Sequence, residues 1–101
     1  LDWWPPKVVA GLLPAESDRR ELTIDMPRLP RSFYDLDVDV PRGWSANGCA
    51  FLGLSDAYAA ELREATERGW PTEHLESSHL GTHVDAERVI ESLLRLIDRL
   101  A

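Results

Sequence analysis

Cys49-Ala50-Phe51-Leu52-Gly53-Leu54 is a continuous apolar run, bounded by Asn47-Gly48 before it and Ser55-Asp56 after it. Its length and turn-forming flanks suit a strand buried on both faces, as in a parallel sheet. Ser55 or Asp56 can cap the helix that follows, Ala57–Arg68. That helix carries Tyr58, Leu62 and Ala65 on one stripe and a Glu64–Arg68 pair one turn apart. Gly69 is the expected helix stop. Trp70–Glu76 supplies a short second strand. After a polar loop, Asp85 caps a last helix, with Val89, Leu93, Ile97 and Leu100 at helical spacing and Ile90 and Leu94 beside them. Strand, helix, strand, helix is a βαβα unit, and such units build the parallel sheets of α/β proteins. Two strands do not make a stable sheet alone, so the remaining strands are expected from elsewhere.

Upstream of this unit the chain changes character. Residues 1–48 are irregular and punctuated by Pro5, Pro6, Pro14, Pro27, Pro30 and Pro41. Pro5-Pro6 opens a short helix over Lys7–Leu13, with Val8, Val9, Leu12 and Leu13 as its apolar face. Pro14 ends it and begins a second helix, Ala15–Asp25, mostly charged, with Leu22 and Ile24 as apolar handles. Met26–Arg31 holds two prolines and should be extended. Asp35-Leu36-Asp37-Val38-Asp39-Val40 alternates strictly, as an exposed edge strand or a solvated linker does. Pro41-Arg42-Gly43 closes it as a turn. The expected division is therefore a helical and extended segment over residues 1–43 and a regular segment over 44–101.

Composition narrows the function classes. The chain has 101 residues, one domain at most. It is 44% apolar and 29% charged, a globular composition. Eleven basic residues against eighteen acidic ones give a net charge of -7. That balance argues against nucleic-acid binding, which needs surplus cations to displace condensed counterions, and against docking on an anionic membrane. One cysteine, Cys49, excludes an internal disulfide framework and a cysteine-based zinc cage. A lone thiol fits a reducing, cytoplasmic compartment. No apolar run approaches the roughly 20 residues of a membrane span. Leu1-Asp2-Trp3-Trp4-Pro5-Pro6 has neither the basic flank nor the apolar stretch of a signal peptide, nor a starting Met. The expectation is a processed chain or a piece of something longer.

Histidine chemistry is concentrated in a dozen residues. His74, His79 and His83 stand near Glu76 and Asp85. Such groups can hold zinc or nickel, but His79 and His83 share a face only across a helical turn, and Gly81-Thr82 reads as loop. Asp35-x-Asp37-x-Asp39 begins like a calcium loop, yet its sixth position is Val40 and its twelfth Ala46, where such loops need Gly and Glu. No metal and no cofactor are expected.

The segment from about Trp44 to the C-terminus resembles the last quarter of an α/β-hydrolase. The Phe51–Leu54 strand leads into Ser55-Asp56. The second strand leads into Ser77-Ser78-His79-Leu80, and Asp85 opens the closing helix. This order is similar to the acid loop and histidine loop of small esterases and hydroxynitrile lyase-like members. The resemblance implies an α/β fold: the C-terminal βαβα part of an α/β-hydrolase sheet, preceded by Pro-rich cap helices. It implies that His79 is the catalytic base and Asp56 the acid that orients it in a serine-hydrolase catalytic triad. Trp3 and Trp4 would then line a substrate pocket for an acyl group. One departure is large. The family's nucleophile elbow, G-x-S-x-G on a strand-to-helix turn, is absent. The closest string, Gly43-Trp44-Ser45-Ala46-Asn47-Gly48, has its second glycine one residue late and precedes a strand.

The expected function is hence part of an α/β-hydrolase-type enzyme acting on a small-molecule ester or related acyl substrate. The chain supplies His79 and Asp56, while the serine nucleophile belongs to a missing N-terminal half or a second chain. The alternative is a non-enzymatic binding module, or an inactive fragment, that works through a partner chain. For each bet residue a plain role stands beside the chemical one: His79 as a surface loop histidine, Asp56 as a helix cap, and the four tryptophans and Cys49 as packing.

Overall fold

The computed structural model describes residues 4–100 and divides the chain into two compact units, Leu1–Val40 and Pro41–Ala101. The boundary follows Val40, just ahead of the turn expected to close the first segment.

In the first unit, α1 (Pro6–Leu12) begins with proline in its first turn, where a missing N–H costs nothing. The Leu13 amide closes it on the Val9 carbonyl, and Val9 and Leu13 are the buried pair. Pro14 forbids continuation. Helix α2 (Glu16–Asp25) buries no residue. It is tied to its own entry by Arg19, whose Nη1 donates to the carbonyls of Leu13 and Pro14, each at 2.7 Å. Met26 is extended as expected, but Arg31–Asp35 winds into a short 3-10 turn after Pro30. The alternating stretch forms no strand: residues 36–40 are exposed, Val38 by 83%. Carboxylates at every second position leave one face charged, and among the described residues no partner strand meets the other. The solvated-linker reading is the correct one.

The second unit carries the βαβα order. Strand β1 (Phe51–Gly53) pairs in parallel with β2 (Thr72–His74), Phe51 opposite Thr72 and Gly53 opposite His74. Both strands are shorter than the runs that announced them, but the pairing continues beyond them. The Phe51 amide donates to Pro71, Leu75 to Gly53 and Ser77 to Leu54, at 2.8 to 3.0 Å. The crossover is α3 (Ala59–Glu67), preceded by a 3-10 turn over Asp56–Tyr58. It ends in a Schellman motif: Gly69 takes φ 78°, its amide donates to Thr66, and the Trp70 amide donates to Ala65. Only glycine adopts that conformation without strain. The Glu64–Arg68 pair forms as expected, with Nη2 to Oε1 at 2.8 Å.

Helix α4 (Gly81–Val84) is a single turn where the sequence reads as loop, and α5 (Ala86–Leu100) closes the unit. Val89, Ser92 and Leu96 form the buried side of α5, and the helix packs on both strands. Arg95 bonds the Glu73 carboxylate at 2.8 Å and the buried Ser92 hydroxyl at 3.0 Å, and the Glu73 bond holds its guanidinium above the ordinary value. Arg99 donates to the Thr72 carbonyl at the outer edge of β2. A second apolar arc of α5, Ile90, Leu93, Leu94, Ile97 and Leu100, is exposed. Phe51 and Leu52 are only half-buried, and β1 has a partner on one side. Among the described residues no helix is long and apolar enough to cross a membrane.

Gly81 is buried under the loop that follows β2. A Cβ there would stand 2.6 Å from Ser77 Oγ, below any real contact. Gly81→Ala is expected to displace Ser77 and to destabilise the chain by about 1–3 kcal/mol in urea unfolding. Unchanged stability would show that the loop yields freely.

Candidate active site

Parallel pairing sets the C-terminal ends of β1 and β2 side by side, and α/β sheets build their sites from the loops at such ends. Both residues expected to carry chemistry are there. Asp56 follows β1 and His79 follows β2. The bonds from Leu75 and Ser77 back to Gly53 and Leu54 hold the second loop against the first.

Ser55, not Asp56, caps the turn: its Oγ accepts the Ala57 amide at 3.3 Å. The cap role considered for Asp56 is therefore taken by its neighbour, and the Asp56 carboxylate points outward, 99% exposed. Its Oδ1 stands 3.7 Å from Nε2 of His74, the last residue of β2. At such exposure this pair contributes little to stability. Two residues on, the Tyr58 ring stacks on the His79 ring, with centroids 5.8 Å apart and planes within 20°. The turn that carries Asp56 and the loop that carries His79 thus meet through an aromatic contact, an arrangement that fixes the plane of the imidazole.

Beneath His79 the loop is anchored by polar contacts. Ser77 Oγ donates to Asp85 Oδ2 at 2.7 Å, and Arg88 Nη1 lies 3.5 Å from the same oxygen. Asp85 directly precedes α5, where the helix cap was expected, and its carboxylate also joins the β2 loop to that helix. Ser78 Oγ is buried with no hydrogen-bond partner among the described residues, as is the second carboxylate oxygen of Glu73. Such atoms are costly, roughly 1–3 kcal/mol each, and are rarely left so without cause. His83 lies in α4, so Gly81-Thr82 is helical after all. Even so, among the described residues no three His, Cys, Asp or Glu side chains converge as a metal site would require.

Of the two tryptophans assigned to a substrate pocket, Trp3 lies outside the described residues. Trp4 lines a cavity of about 310 Å³ in the first unit, with Val9, Met26, Pro27 and Arg28 among its walls. Sequence reasoning missed the Tyr58 stack, the Ser77–Asp85 bond and the His74–Asp56 pair. Tyr58 and His79 had no shared periodicity to mark them; only strand register brings them together. No protein-family model, no curated protein and no solved structure matches the chain.

The stack has a direct signature. With Tyr58 replaced by Leu, the His79 ring protons should lose ring-current shielding and move downfield in the proton NMR spectrum. Unmoved resonances would mean that the rings are not stacked in solution.

Proposed function

We propose that this chain is the C-terminal part of an α/β-hydrolase-type enzyme that cleaves an ester or related acyl substrate. His79 is the general base and Asp56 the acid that orients it. The observation that carries the reading is the βαβα unit itself. Its parallel strands end together, a histidine follows the second, an aspartate follows the first, and the two loops touch through Tyr58 and His79. A serine hydroxyl is a weak nucleophile and needs a neutral imidazole within hydrogen-bond reach. The imidazole in turn needs a carboxylate to hold its tautomer and to stabilise the cation that forms. Asp56 is exposed, so its carboxylate is free to turn from His74 to His79 once a substrate and a nucleophile close the site.

The nucleophile and oxyanion donors belong to polypeptide outside these residues, brought by further strands on the open side of β1. The exposed apolar arc of α5 supports such a completion. A helix that is apolar beyond the surface it covers marks a missing partner.

Two proteins test the reading. The purified 101-residue chain should not hydrolyse an activated ester. The product of the complete reading frame should hydrolyse it and be labelled by a fluorophosphonate at a serine. His79→Ala there should lower kcat by roughly 10⁴-fold or more, and Asp56→Asn by roughly 10⁴-fold. Esterase activity of the short chain that His79→Ala abolishes, or a complete protein indifferent to that change, would overturn it. Retained activity in Asp56→Asn alone would remove Asp56 from the site and leave His79.

A further inference from the structure

At the opposite ends of the strands, where β1 and β2 begin, a second cavity has a different chemistry. Trp44, in the 3-10 turn Trp44–Ala46, and Trp70, just before β2, meet edge to face with centroids 5.7 Å apart and planes at 81°. With Phe51 they wall a cavity of about 250 Å³, floored by the buried Ala65. Its rim carries Glu61, Glu64 and Arg68. Arg68 is already committed. Its Nε and Nη2 both bond Glu64 Oε1, at 3.1 and 2.8 Å, and its guanidinium lies 5.4 Å from the Trp70 ring centre. Those two charges cancel. Glu61 has no hydrogen bond or ion pair among the described residues and is left as the uncompensated charge. Trp44 remains 49% exposed.

Aromatic faces at right angles, joined by one unneutralised carboxylate, select a particular ligand. The negative ring faces attract a cation, and most strongly one whose charge is spread over alkyl groups that also gain from leaving water. A bare metal ion would need several oxygen ligands, whereas the Glu64 carboxylate is held by Arg68 and Glu61 alone is left to coordinate. An anion would meet Glu61 and a chain of net charge -7. We propose that the Trp44–Trp70 cavity binds a small quaternary ammonium ion, its alkyl groups against Trp44 and Phe51 and its charge beside Glu61. Lying where the strands begin, the cavity is separate from the loops that carry Asp56 and His79, so this proposal stands whether or not the chain serves a hydrolase.

The test uses the whole chain and choline as the probe, with 3,3-dimethylbutan-1-ol as its uncharged isostere. The indole N–H resonances of Trp44 and Trp70 should shift saturably with choline, and the alcohol should bind about tenfold more weakly or worse. Glu61→Gln, an exposed change that leaves the fold intact, should weaken choline by about tenfold and leave the alcohol unchanged. Trp44→Ala should abolish the Trp70 shift. Equal binding of choline and the alcohol, an unaffected Glu61→Gln variant, or no saturable shift at all would each overturn the proposal.

Discussion

The parallel pairing of β1 with β2 is the constraint on which the second unit depends. Three residues on each strand are in register, and the bond from Phe51 to the Pro71 carbonyl and those from the Leu75 and Ser77 amides extend the ladder past both ends. That ladder decides which loops are neighbours. It puts the residues after Gly53 beside the residues after His74, and from that follow the Tyr58–His79 stack and the approach of Asp56 to His74. It also decides which residues share the other end, where Trp44, Phe51 and Trp70 gather. The crossover length is set by α3, which the Schellman motif at Gly69 terminates where the chain must turn into β2.

The βαβα order was legible because each element has a local cause. An uninterrupted apolar run marks β1, a hydroxyl cap marks the turn that leads into α3, a 3.6-residue stripe marks α3 itself, and Gly69 marks its end. The strand limits were not legible. Cys49 and Ala50 continue the apolar pattern, but pairing in the sheet starts only at Phe51, where a partner exists. Gly81-Thr82 misled for a related reason. Glycine usually breaks a helix, yet here it avoids a clash, since a Cβ would stand 2.6 Å from Ser77 Oγ. Asp85 stands at the start of α5 as its local pattern indicates, and it is also the acceptor for Ser77, a contact that the pattern does not show. Local signals name elements, while contacts across eight residues or more depend on how those elements pack.

The places of the candidate residues were legible to the same depth. Position after a strand marked Asp56 and His79, and both lie at the expected edge. The partner of each side chain was not written in sequence. Ser55 rather than Asp56 meets the Ala57 amide of the 3-10 turn, and the Asp56 carboxylate is left exposed beside His74. Trp4 does line a cavity, while the other tryptophan pair proved to face one another at the far end of the strands.

A parallel sheet in α/β proteins is covered on both faces and joined on both sides of its inner strands. Here β1 is joined on one side, Phe51 and Leu52 are half-buried, and α5 shows a second apolar arc with Ile97 58% exposed. Under the proposed function these features share one explanation, a sheet that continues past β1. Alternation along a strand turns successive peptide groups to opposite edges. Phe51 donates toward β2, so the Leu52 amide points to the open side. Amide hydrogen exchange at Leu52, measured in the short chain and in the complete protein, therefore tests the account most directly. The account predicts fast exchange at Leu52 in the short chain and strong protection in the complete protein, with Phe51 protected in both. Leu52 exchanging freely in the complete protein would contradict it.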